Sequence, residues 1–241
     1  MPVVDLAVIA AAGLGSRLGA ATPKCLVKID GRTLIERQLE LLVDVPEVRV
    51  IVGFRERDVM EHVTAIRPDA VFVRNPDFAR THTIHSLRRA VQHSSRWFLA
   101  IDGDLVIEPS SFENFLTTCA SADAVLGVGP SGTEDGVFVQ TATVGQRLVV
   151  TSFSRERHSD YEWTGMAHLH SGHIAEGERF VFETLVDDLP MRAAVLDAAE
   201  VDTPQDLQRA RTLVRSWERS VDATASAVPE PSIADLRESL R

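Results

Sequence analysis

The first hundred residues alternate short apolar runs with segments of helical periodicity, and this alternation is the strongest constraint on the fold. The apolar runs predict strands, and the amphipathic segments between them predict helices. In chain order these predicted elements cover residues 6–12, 33–43, 49–52, 56–66, 70–73, 83–93 and 97–101. Strands that are apolar throughout need helices on both faces of their sheet. The sequence therefore predicts an α/β fold, a three-layer α/β/α sandwich around a mostly parallel central sheet.

The second half of the chain has a different pattern. After a predicted helix at 111–119, apolar runs joined by polar turns predict the strands of a smaller, mixed part. The predicted strands cover 124–129, 137–141, 147–153 and 163–169, followed by a helix at 176–185 and a strand at 193–198. The last long predicted helix covers 204–217, with Thr203 as its N-cap and Pro204 in its first turn.

The composition changes again near residue 220. Residues 220–230 are rich in Ala, Ser, Thr and Pro without an apolar period, which is typical of a flexible linker. A short C-terminal helix is predicted next, with Ser232 and Asp235 as its capping pair. Its apolar face consists of Ile233, Leu236 and Leu240. We expect one domain over 1–219 and a tail over 220–241, whose helix frays, docks on its own domain or contacts a second subunit in a homodimer.

Composition limits the partners of this chain. It has 241 residues, 44% of them hydrophobic, which is enough for one large core. The net charge of −10 argues against nucleic acid, because proteins that bind its backbone normally present a basic face. Cys25 and Cys119 are too few for a disulfide framework or a zinc site and fit a reduced setting. Because the first residues lack a basic segment and a long apolar run, we expect a soluble, cytoplasmic protein without a membrane segment.

A glycine-rich turn follows the first predicted strand. Gly13 and Gly15 allow the backbone to approach an anion and present bare N–H groups to it. Ser16, Arg17 and Lys24 add a hydroxyl group and two cations. This segment is therefore suited to bind a triphosphate.

Two common glycine motifs do not fit this spacing. The dinucleotide fingerprint needs glycine at position 18, which is Leu18, so a dinucleotide-dependent oxidoreductase is the less favoured hypothesis. A P-loop needs Gly-Lys-Ser/Thr, whereas Lys24 follows Pro23. A glycine turn kept for packing alone is the remaining alternative.

Four motifs stand in a fixed order along most of the chain. They are Ala11-Ala12-Gly13-Leu14-Gly15-Ser16-Arg17 with Pro23-Lys24, Gly31-Arg32-Thr33-Leu34-Ile35-Glu36, Ile101-Asp102-Gly103-Asp104 and Glu200-Val201-Asp202-Thr203-Pro204. In sequence and order they resemble the motifs of the nucleotidyltransferases that make sugar nucleotides and CDP-alcohols, the MobA-like and sugar-phosphate nucleotidyltransferases. The resemblance implies a Rossmann-like fold of the nucleotide-diphospho-sugar transferase type, with the catalytic domain in 1–219 and the acceptor bound by the smaller mixed part.

The chemistry of nucleotidyl transfer assigns roles to the charged residues. Two anions must approach each other and pyrophosphate must leave, so cations are required. Arg17 is suited to grip the leaving phosphates, and Lys24 to place a point charge near the α-phosphate and the acceptor. In the resembling family, the aspartates that match Asp104 and Asp202 hold the metal, so these residues would bind Mg²⁺, with Asp102 as a further candidate. The alternatives are solvated loop charges and, for Asp202, an acidic residue that only complements a helix start.

Residues 75–87 resemble one group within these nucleotidyltransferases. Asn75-Pro76 with Thr81-His82 and Ser86-Leu87 resembles a segment of the choline-phosphate and aminoalkylphosphonate cytidylyltransferases, which usually have asparagine where His82 stands. Asn75 and His82 would then contact substrate, although a solvated histidine is the alternative for His82. The complete set of nucleotide-binding residues implied by the resemblance is Ala11, Ala12, Gly13, Gly15, Ser16, Arg17, Lys24, Thr81, Ser86 and Asp104.

An aromatic pair beside a carboxylate suggests a site for the acceptor. Tyr161, Glu162 and Trp163 would attract an organic ammonium ion through aromatic faces and negative charge. The alternative is that these aromatic side chains belong to the core. A neighbouring basic group could instead meet a more anionic acceptor. It consists of Arg155, Arg157 and His158.

These observations predict a Mg²⁺-dependent nucleotidyltransferase. The favoured reaction is transfer of CMP from CTP to a small phosphorylated amino alcohol or an alkylphosphonate, with release of pyrophosphate. A sugar- or polyol-1-phosphate nucleotidyltransferase is the alternative. A nucleotide-binding protein without catalysis is less favoured, because binding alone needs fewer metal ligands than Asp104 and Asp202 provide.

Overall fold

The computed structural model describes residues 3–15, 18, 22–92, 95–132, 136–174 and 180–226. Its strands are β1 (Leu6–Ala10), β2 (Lys28–Ile29), β3 (Arg32–Thr33), β4 (Glu47–Val52), β5 (Val71–Arg74), β6 (Trp97–Asp102), β7 (Leu105–Ile107), β8 (Val125–Pro130), β9 (Phe138–Val144), β10 (Arg147–Ser154), β11 (Tyr161–His170), β12 (Met191–Val195) and β13 (Ala198–Glu200). Its α-helices are α1 (Leu34–Leu41), α2 (Glu56–Ile66), α3 (Thr83–Val91), α4 (Pro109–Cys119), α5 (Val181–Thr184) and α6 (Pro204–Ser226). Short 3₁₀ turns lie at Lys24–Leu26, Ser171–His173 and Val186–Asp188.

A 9-stranded sheet forms the centre of the protein, in the order β5-β4-β1-β6-β11-β8-β12-β10-β9. The strands β5, β4, β1 and β6 are parallel, and β12 is parallel to β8. β11 runs antiparallel between β6 and β8, and β10 runs antiparallel between β12 and β9. Most strands therefore share one direction, which confirms the predicted mostly parallel sheet with a mixed second half.

Both faces of the sheet are covered, as the apolar strands predict. Because successive side chains of a strand point to opposite faces, Ala7 and Ile9 join one core while Leu6 and Val8 join another. The first core includes side chains of α1, α2 and α4, and the second includes side chains of α3 and α5. The predicted α/β/α sandwich is therefore confirmed.

A third core lies outside the large sheet. It joins α6 to the β2–β3 hairpin and to the small antiparallel sheet of β7 and β13, through Ile29, Val106, Val201 and Val214. In that small sheet Leu105 is opposite Glu200, and the Val201 amide donates to the Asp104 carbonyl at 3.0 Å. The segment after β6 is thus fixed against the segment before α6.

Helix α6 is longer than predicted. It continues to Ser226, beyond residue 217 and into the predicted linker at 220–230, across the predicted domain boundary. Residues 218–226 contain alanine and no proline or glycine, and the first residue that stops a helix is Pro229. The rest of the predicted linker and the predicted helix at its end lie outside the described residues.

Other predicted boundaries also shift. The predicted strand at 193–198 is two strands, because the chain leaves β12 of the large sheet and pairs as β13 with β7. Of the predicted helix at 176–185, the described residues show α5 alone, since 175–179 lie outside them. No described helix combines the length and the apolar composition that a membrane span requires.

Candidate active site

A cavity of about 460 Å³ lies beyond the carboxyl ends of β1 and β6. Ligands of parallel sheets bind at this edge of the sheet, because loops and helix starts meet there. The lining residues come from the glycine-rich loop, the α3 start, and the segments after β6 and β13. They are Ala10, Ala11, Ala12, Gly13, Leu14, Gly15, Lys24, Cys25, Phe78, Thr81, Thr83, Ser86, Asp102, Gly103, Asp104, Phe180, Glu200 and Asp202.

The glycine-rich loop is fixed by its neighbours on both sides. The Ala11 amide donates to the Ile51 carbonyl at 3.0 Å, and the Gly103 amide donates to the Ala10 carbonyl at 3.1 Å. Gly15 has a φ of +62°, and a Cβ atom there would lie 2.8 Å from Cγ of Lys24. Only glycine fits this position without displacing the lysine. The loop and Lys24 therefore form one packed unit.

Lys24 meets two carboxylates that are distant in sequence. Its Nζ lies 2.8 Å from Oδ2 of Asp104 and also contacts Oδ1 of Asp202. The side chains of Lys24, Asp104 and Asp202 are only 18%, 15% and 13% exposed. The structure thus brings together three of the predicted catalytic residues, from the turn after the glycine-rich loop, the end of β6 and the end of β13.

Lysine is rare in this chain, and that gives Lys24 a signal of its own. Lysine occurs only at positions 24 and 28, whereas the chain has 25 lysine and arginine residues in all. Lysine differs from arginine in that it carries a compact point charge instead of a planar fork.

Three carboxylates form a group that could hold a metal ion. One oxygen each from Asp104, Glu200 and Asp202 lies within 4.8 Å of the others. Carboxylate oxygens are the ligands that Mg²⁺ prefers, so the donor set fits this ion. The sequence motifs did not identify Glu200 as a ligand. Glu200 and Asp202 are two residues apart in an extended segment, so their side chains point to the same side. This spacing could have identified Glu200 as a third carboxylate of the group.

Asp102 differs from its neighbours in electrostatics. Burial raises the pKa of Asp102 well above its usual range, and the negative charges of Asp104 and Glu200 raise it further. Its carboxylate packs beside Gly165, where φ is +77° and a Cβ atom would collide with it. Asp102 lines the cavity, but it lies outside the carboxylate group that could hold a metal.

A buried glutamine positions the turn that carries Asp102 and Asp104. The Nε2 of Gln38 in α1 donates to the Asp102 and Leu105 carbonyls, both at 2.9 Å. These bonds attach the turn that carries Asp104 to the helix below it. Our sequence analysis missed Gln38, because a single polar residue in an amphipathic helix gives no functional signal.

Asn75 is buried behind the cavity wall and hydrogen-bonds to residues of that wall. It is 1% exposed, and its Nδ2 donates to Thr81 Oγ1 at 3.0 Å and to Ser86 Oγ at 2.9 Å. Thr81 and Ser86 themselves line the cavity. Asn75 therefore positions two predicted nucleotide-binding residues, and its own predicted contact with substrate stays a prediction.

His82 lies at the edge of this wall. It is the N-cap residue of α3, and its ring centroid lies 4.3 Å from that of Phe180. Phe180 lines the cavity, whereas His82 is exposed and is not among the lining residues. Phe180 and Phe78 are cavity residues that our sequence analysis missed, because isolated phenylalanines usually indicate core positions.

The predicted acceptor residues of β11 do not line this cavity. Tyr161 and Trp163 pack against the second core, and the Trp163 indole N–H donates to the Met166 carbonyl at 3.3 Å. Tyr161 and Trp163 lie on the same side of β11 as Ala167 and Leu169 in that core, so the two-residue period of the strand sets the direction of these side chains. Tyr161 and Trp163 are thus partly buried against that core, and Glu162 is half-buried beside them; their predicted contact with the acceptor stays a prediction.

The predicted basic group has separate locations. The Arg155 guanidinium carbon lies 4.4 Å from the Phe180 ring centroid and 5.3 Å from that of Phe182. Arg157 donates to Ser152, and the His158 ring lies 4.2 Å from that of Phe138. Of this group, Arg155 thus contacts a ring that lines the cavity.

Ser16 and Arg17 lie outside the described residues, so their predicted contacts remain predictions.

Burial raises the pKa of the Cys25 thiol to about 12, with a further contribution from Asp104. Cys25 is therefore a neutral packing residue and not a nucleophile.

A known protein family resembles this chain over most of its length. The profile of the family described as MobA-like NTP transferase domain matches residues 7–216. The CMP-5'-(3-aminopropyl)phosphonate synthase of Streptomyces rubellomurinus is 32% identical over 158 residues, 63% of this chain and 24% of that protein. The bifunctional protein GlmU of Azorhizobium caulinodans is 29% identical over 148 residues, 60% of this chain and 33% of that protein. The chain thus spans only about a quarter and a third of these two curated relatives.

Solved structures show the same fold. The CTP:phosphocholine cytidylyltransferase LicC of Streptococcus pneumoniae superposes with a TM-score of 0.69 at 19% identity, covering 88% of this chain and 100% of that chain. This likeness confirms the predicted fold of the nucleotide-diphospho-sugar transferase type.

Proposed function

This chain belongs to the MobA-like NTP transferase family, and on that premise we propose that it is a Mg²⁺-dependent cytidylyltransferase. It transfers CMP from CTP to a small phosphorylated amino alcohol or an alkylphosphonate and releases pyrophosphate. The observation that carries the proposal is the convergence of Lys24 with Asp104 and Asp202 beside the glycine-rich loop.

The chain's own residues supply what the reaction needs. A phosphate or phosphonate acceptor is already anionic, so no general base is required. Its oxygen attacks the α-phosphorus in line, the bond from that phosphorus to the bridging oxygen breaks, and pyrophosphate leaves with the electron pair. Lys24 offsets the negative charge that gathers around the α-phosphate. The amides of the glycine-rich loop bind the triphosphate.

Asp104, Glu200 and Asp202 are the residues that would hold Mg²⁺. When bound, this ion neutralises charge on the triphosphate and on the leaving pyrophosphate. Arg17, which precedes these residues in the chain, is proposed to add a guanidinium to the same phosphates.

Three observations support cytidine and an amino-substituted acceptor. The Asn75 network positions Thr81 and Ser86, within the segment that resembles the choline-phosphate and aminoalkylphosphonate enzymes. The relative from S. rubellomurinus is named for a CMP-aminopropylphosphonate product. Phe180 offers an aromatic face at the cavity wall, where an organic ammonium ion would be attracted.

A second candidate is a sugar- or polyol-1-phosphate nucleotidyltransferase. Arg155 favours it, because its guanidinium stands over Phe180 and could meet an acceptor with more negative charge. The similarity to GlmU over 148 residues also supports it.

A pyrophosphate-release assay over a matrix of donors and acceptors tests the proposal. CTP, UTP, GTP and dTTP are each paired with phosphocholine, 2-aminoethylphosphonate, 3-aminopropylphosphonate, inositol 1-phosphate and glucosamine 1-phosphate. We expect turnover with CTP and an amino-substituted acceptor, dependent on Mg²⁺. Turnover confined to another nucleotide and a sugar or polyol phosphate would establish the second candidate. Nucleotide binding without turnover for every pair would indicate a non-catalytic protein.

A further inference from the structure

The ammonium group of Lys24 bridges two of the carboxylates that could hold a metal ion. Its Nζ lies 2.8 Å from Oδ2 of Asp104 and also contacts Oδ1 of Asp202. With Glu200, these two residues make up the carboxylate group of the cavity. We propose that Lys24 competes with the divalent ion for Asp104 and Asp202, so that the ion binds tightly only when a nucleoside triphosphate draws the ammonium group away. This inference rests on the proposed function, because it concerns the same site.

The positions of the two cations conflict. An ion held by both Asp104 and Asp202 lies between their side chains, because Mg²⁺ binds oxygen at about 2.0–2.1 Å. The Nζ of Lys24 lies between the same side chains. Like charges this close repel each other strongly, since the three side chains are at most 18% exposed and water screens them little. The lysine bridge and the bound ion therefore oppose each other, and by linkage each weakens the other by the same factor.

The charge balance of the site makes this competition an exchange. Asp104, Glu200 and Asp202 bring three negative charges close together. Among the described residues that line the cavity, Lys24 is the only cation. One positive charge leaves the carboxylate group negative, so a divalent ion is still attracted to it. The bridge thus lowers the affinity for the ion without removing the attraction.

A triphosphate offers the ammonium group other acceptors in the same cavity. The side chain of Lys24 lies against Gly15 of the glycine-rich loop, where a Cβ atom would lie 2.8 Å from Cγ of the lysine. The loop amides that bind phosphate in the proposed reaction are therefore next to the lysine side chain. Its flexible four-carbon stem lets the ammonium group turn from carboxylate to phosphate oxygens without a movement of the backbone. Nucleotide binding thus frees Asp104 and Asp202 for the ion.

Binding of Mn²⁺ in the absence of nucleotide tests the competition. Mn²⁺ prefers the same oxygen ligands as Mg²⁺, and electron paramagnetic resonance measures its free concentration. We expect Lys24→Met, which keeps an unbranched side chain beside Gly15, to bind Mn²⁺ at least about tenfold more tightly than the wild type. Lys24→Arg retains a positive charge and should show no such gain. Lys28→Met, at an exposed lysine, is the matched control and should bind Mn²⁺ like the wild type.

A triple variant shows where the additional Mn²⁺ binds. Lys24→Met/Asp104→Asn/Asp202→Asn should lose the whole gain in affinity. Equal Mn²⁺ affinities of Lys24→Met and the wild type would overturn the proposal. A gain that survives the loss of both aspartates would overturn it too.

NMR of the wild type provides a measurement without any change at the site. Lys24 and Lys28 are the only lysines of the chain, so a carbon-13 label at lysine Cε gives two signals, which Lys28→Arg assigns. We expect CTP with Mg²⁺ to move the Lys24 signal, and Mg²⁺ alone at the same concentration to leave it in place. A Lys24 signal that moves as far with Mg²⁺ alone, or that does not move with both, would contradict the competition.

Failure of this proposal and failure of the proposed function give different results. Turnover in the pyrophosphate-release assay, with no gain in Mn²⁺ affinity for Lys24→Met, overturns the competition alone. A gain in Mn²⁺ affinity without turnover for any pair of donor and acceptor supports the competition and refutes the transfer reaction.

Discussion

The nucleotide end of the cavity and the strand β11 differ in how residue position relates to function. Lys24, Asp104 and Asp202 follow elements of the sheet and converge at its carboxyl edge. Tyr161 and Trp163 lie within a strand and pack against the core. Residues beyond strand ends meet at one edge of the sheet, where ligands bind, whereas residues inside a strand alternate between two covered faces. The first kind of placement is the one that assembles a site.

The largest expected effect concerns Lys24, one of the residues that lie beyond the strand ends. We expect Lys24→Met to lower kcat by about 10³-fold with little change in nucleotide affinity, because its charge matters most as pyrophosphate leaves. Lys24→Arg should also be impaired, since a guanidinium does not replace a compact ammonium group. Lys28→Met, at the exposed second lysine of the chain, is the matched control. Equal rates for Lys24→Met and the wild type in steady-state assays would contradict the assignment.

The carboxylate group provides the next test of the same edge. We expect Asp104→Asn/Asp202→Asn to weaken Mg²⁺ binding by at least about 100-fold, since even outer partners of metal ligands contribute about 10- to 100-fold. Glu200→Gln should have a smaller effect, because Glu200 is the most exposed of the three. Isothermal titration calorimetry with Mg²⁺ and CTP measures both. Glu61→Gln, on the exposed side of α2, is the control, and undiminished binding in the double variant would refute the metal site.

Asn75 lies between the two kinds of region, since it follows a strand but is buried. Asn75→Ala removes three side-chain hydrogen bonds, to Thr81, Ser86 and the Asp77 amide, so we expect a loss of about 2 kcal/mol in the free energy of unfolding. The KM for the nucleotide should rise with it. Urea denaturation and steady-state kinetics measure the two effects, and the exposed Asn114→Ala is the control. A raised KM with unchanged stability would mean that Asn75 contacts the substrate directly.

The smallest expected effects show which aromatic side chains contact the acceptor. Trp163→Ala should cost about 2 kcal/mol of stability, less than a fully buried tryptophan, with the acceptor KM unchanged. Phe180→Ala should do the opposite, raising the KM for an amino-substituted acceptor about fivefold through the loss of an aromatic face. Thermal melts and acceptor titrations distinguish them. If Trp163→Ala raised the acceptor KM more than Phe180→Ala, β11 would belong to the site after all.

The amino-acid sequence alone is sufficient to predict the layers of the fold and the edge of the sheet that carries the cavity. Apolar strands between amphipathic helices require a covered, mostly parallel sheet, and the carboxyl ends of such strands meet at one edge. For this reason Lys24, Asp104 and Asp202 could be placed near each other without coordinates, by their positions in the chain and the resemblance of their motifs.

Other features depend on contacts between distant segments. The pairing of β7 with β13 fixes Glu200 beside Asp104, and burial makes Asn75 a support for Thr81 and Ser86. The apolar period of a segment predicts which face of its own helix or strand a residue occupies. It does not predict which distant segment packs against that face, because pairing between short strands depends on partners far away in the chain.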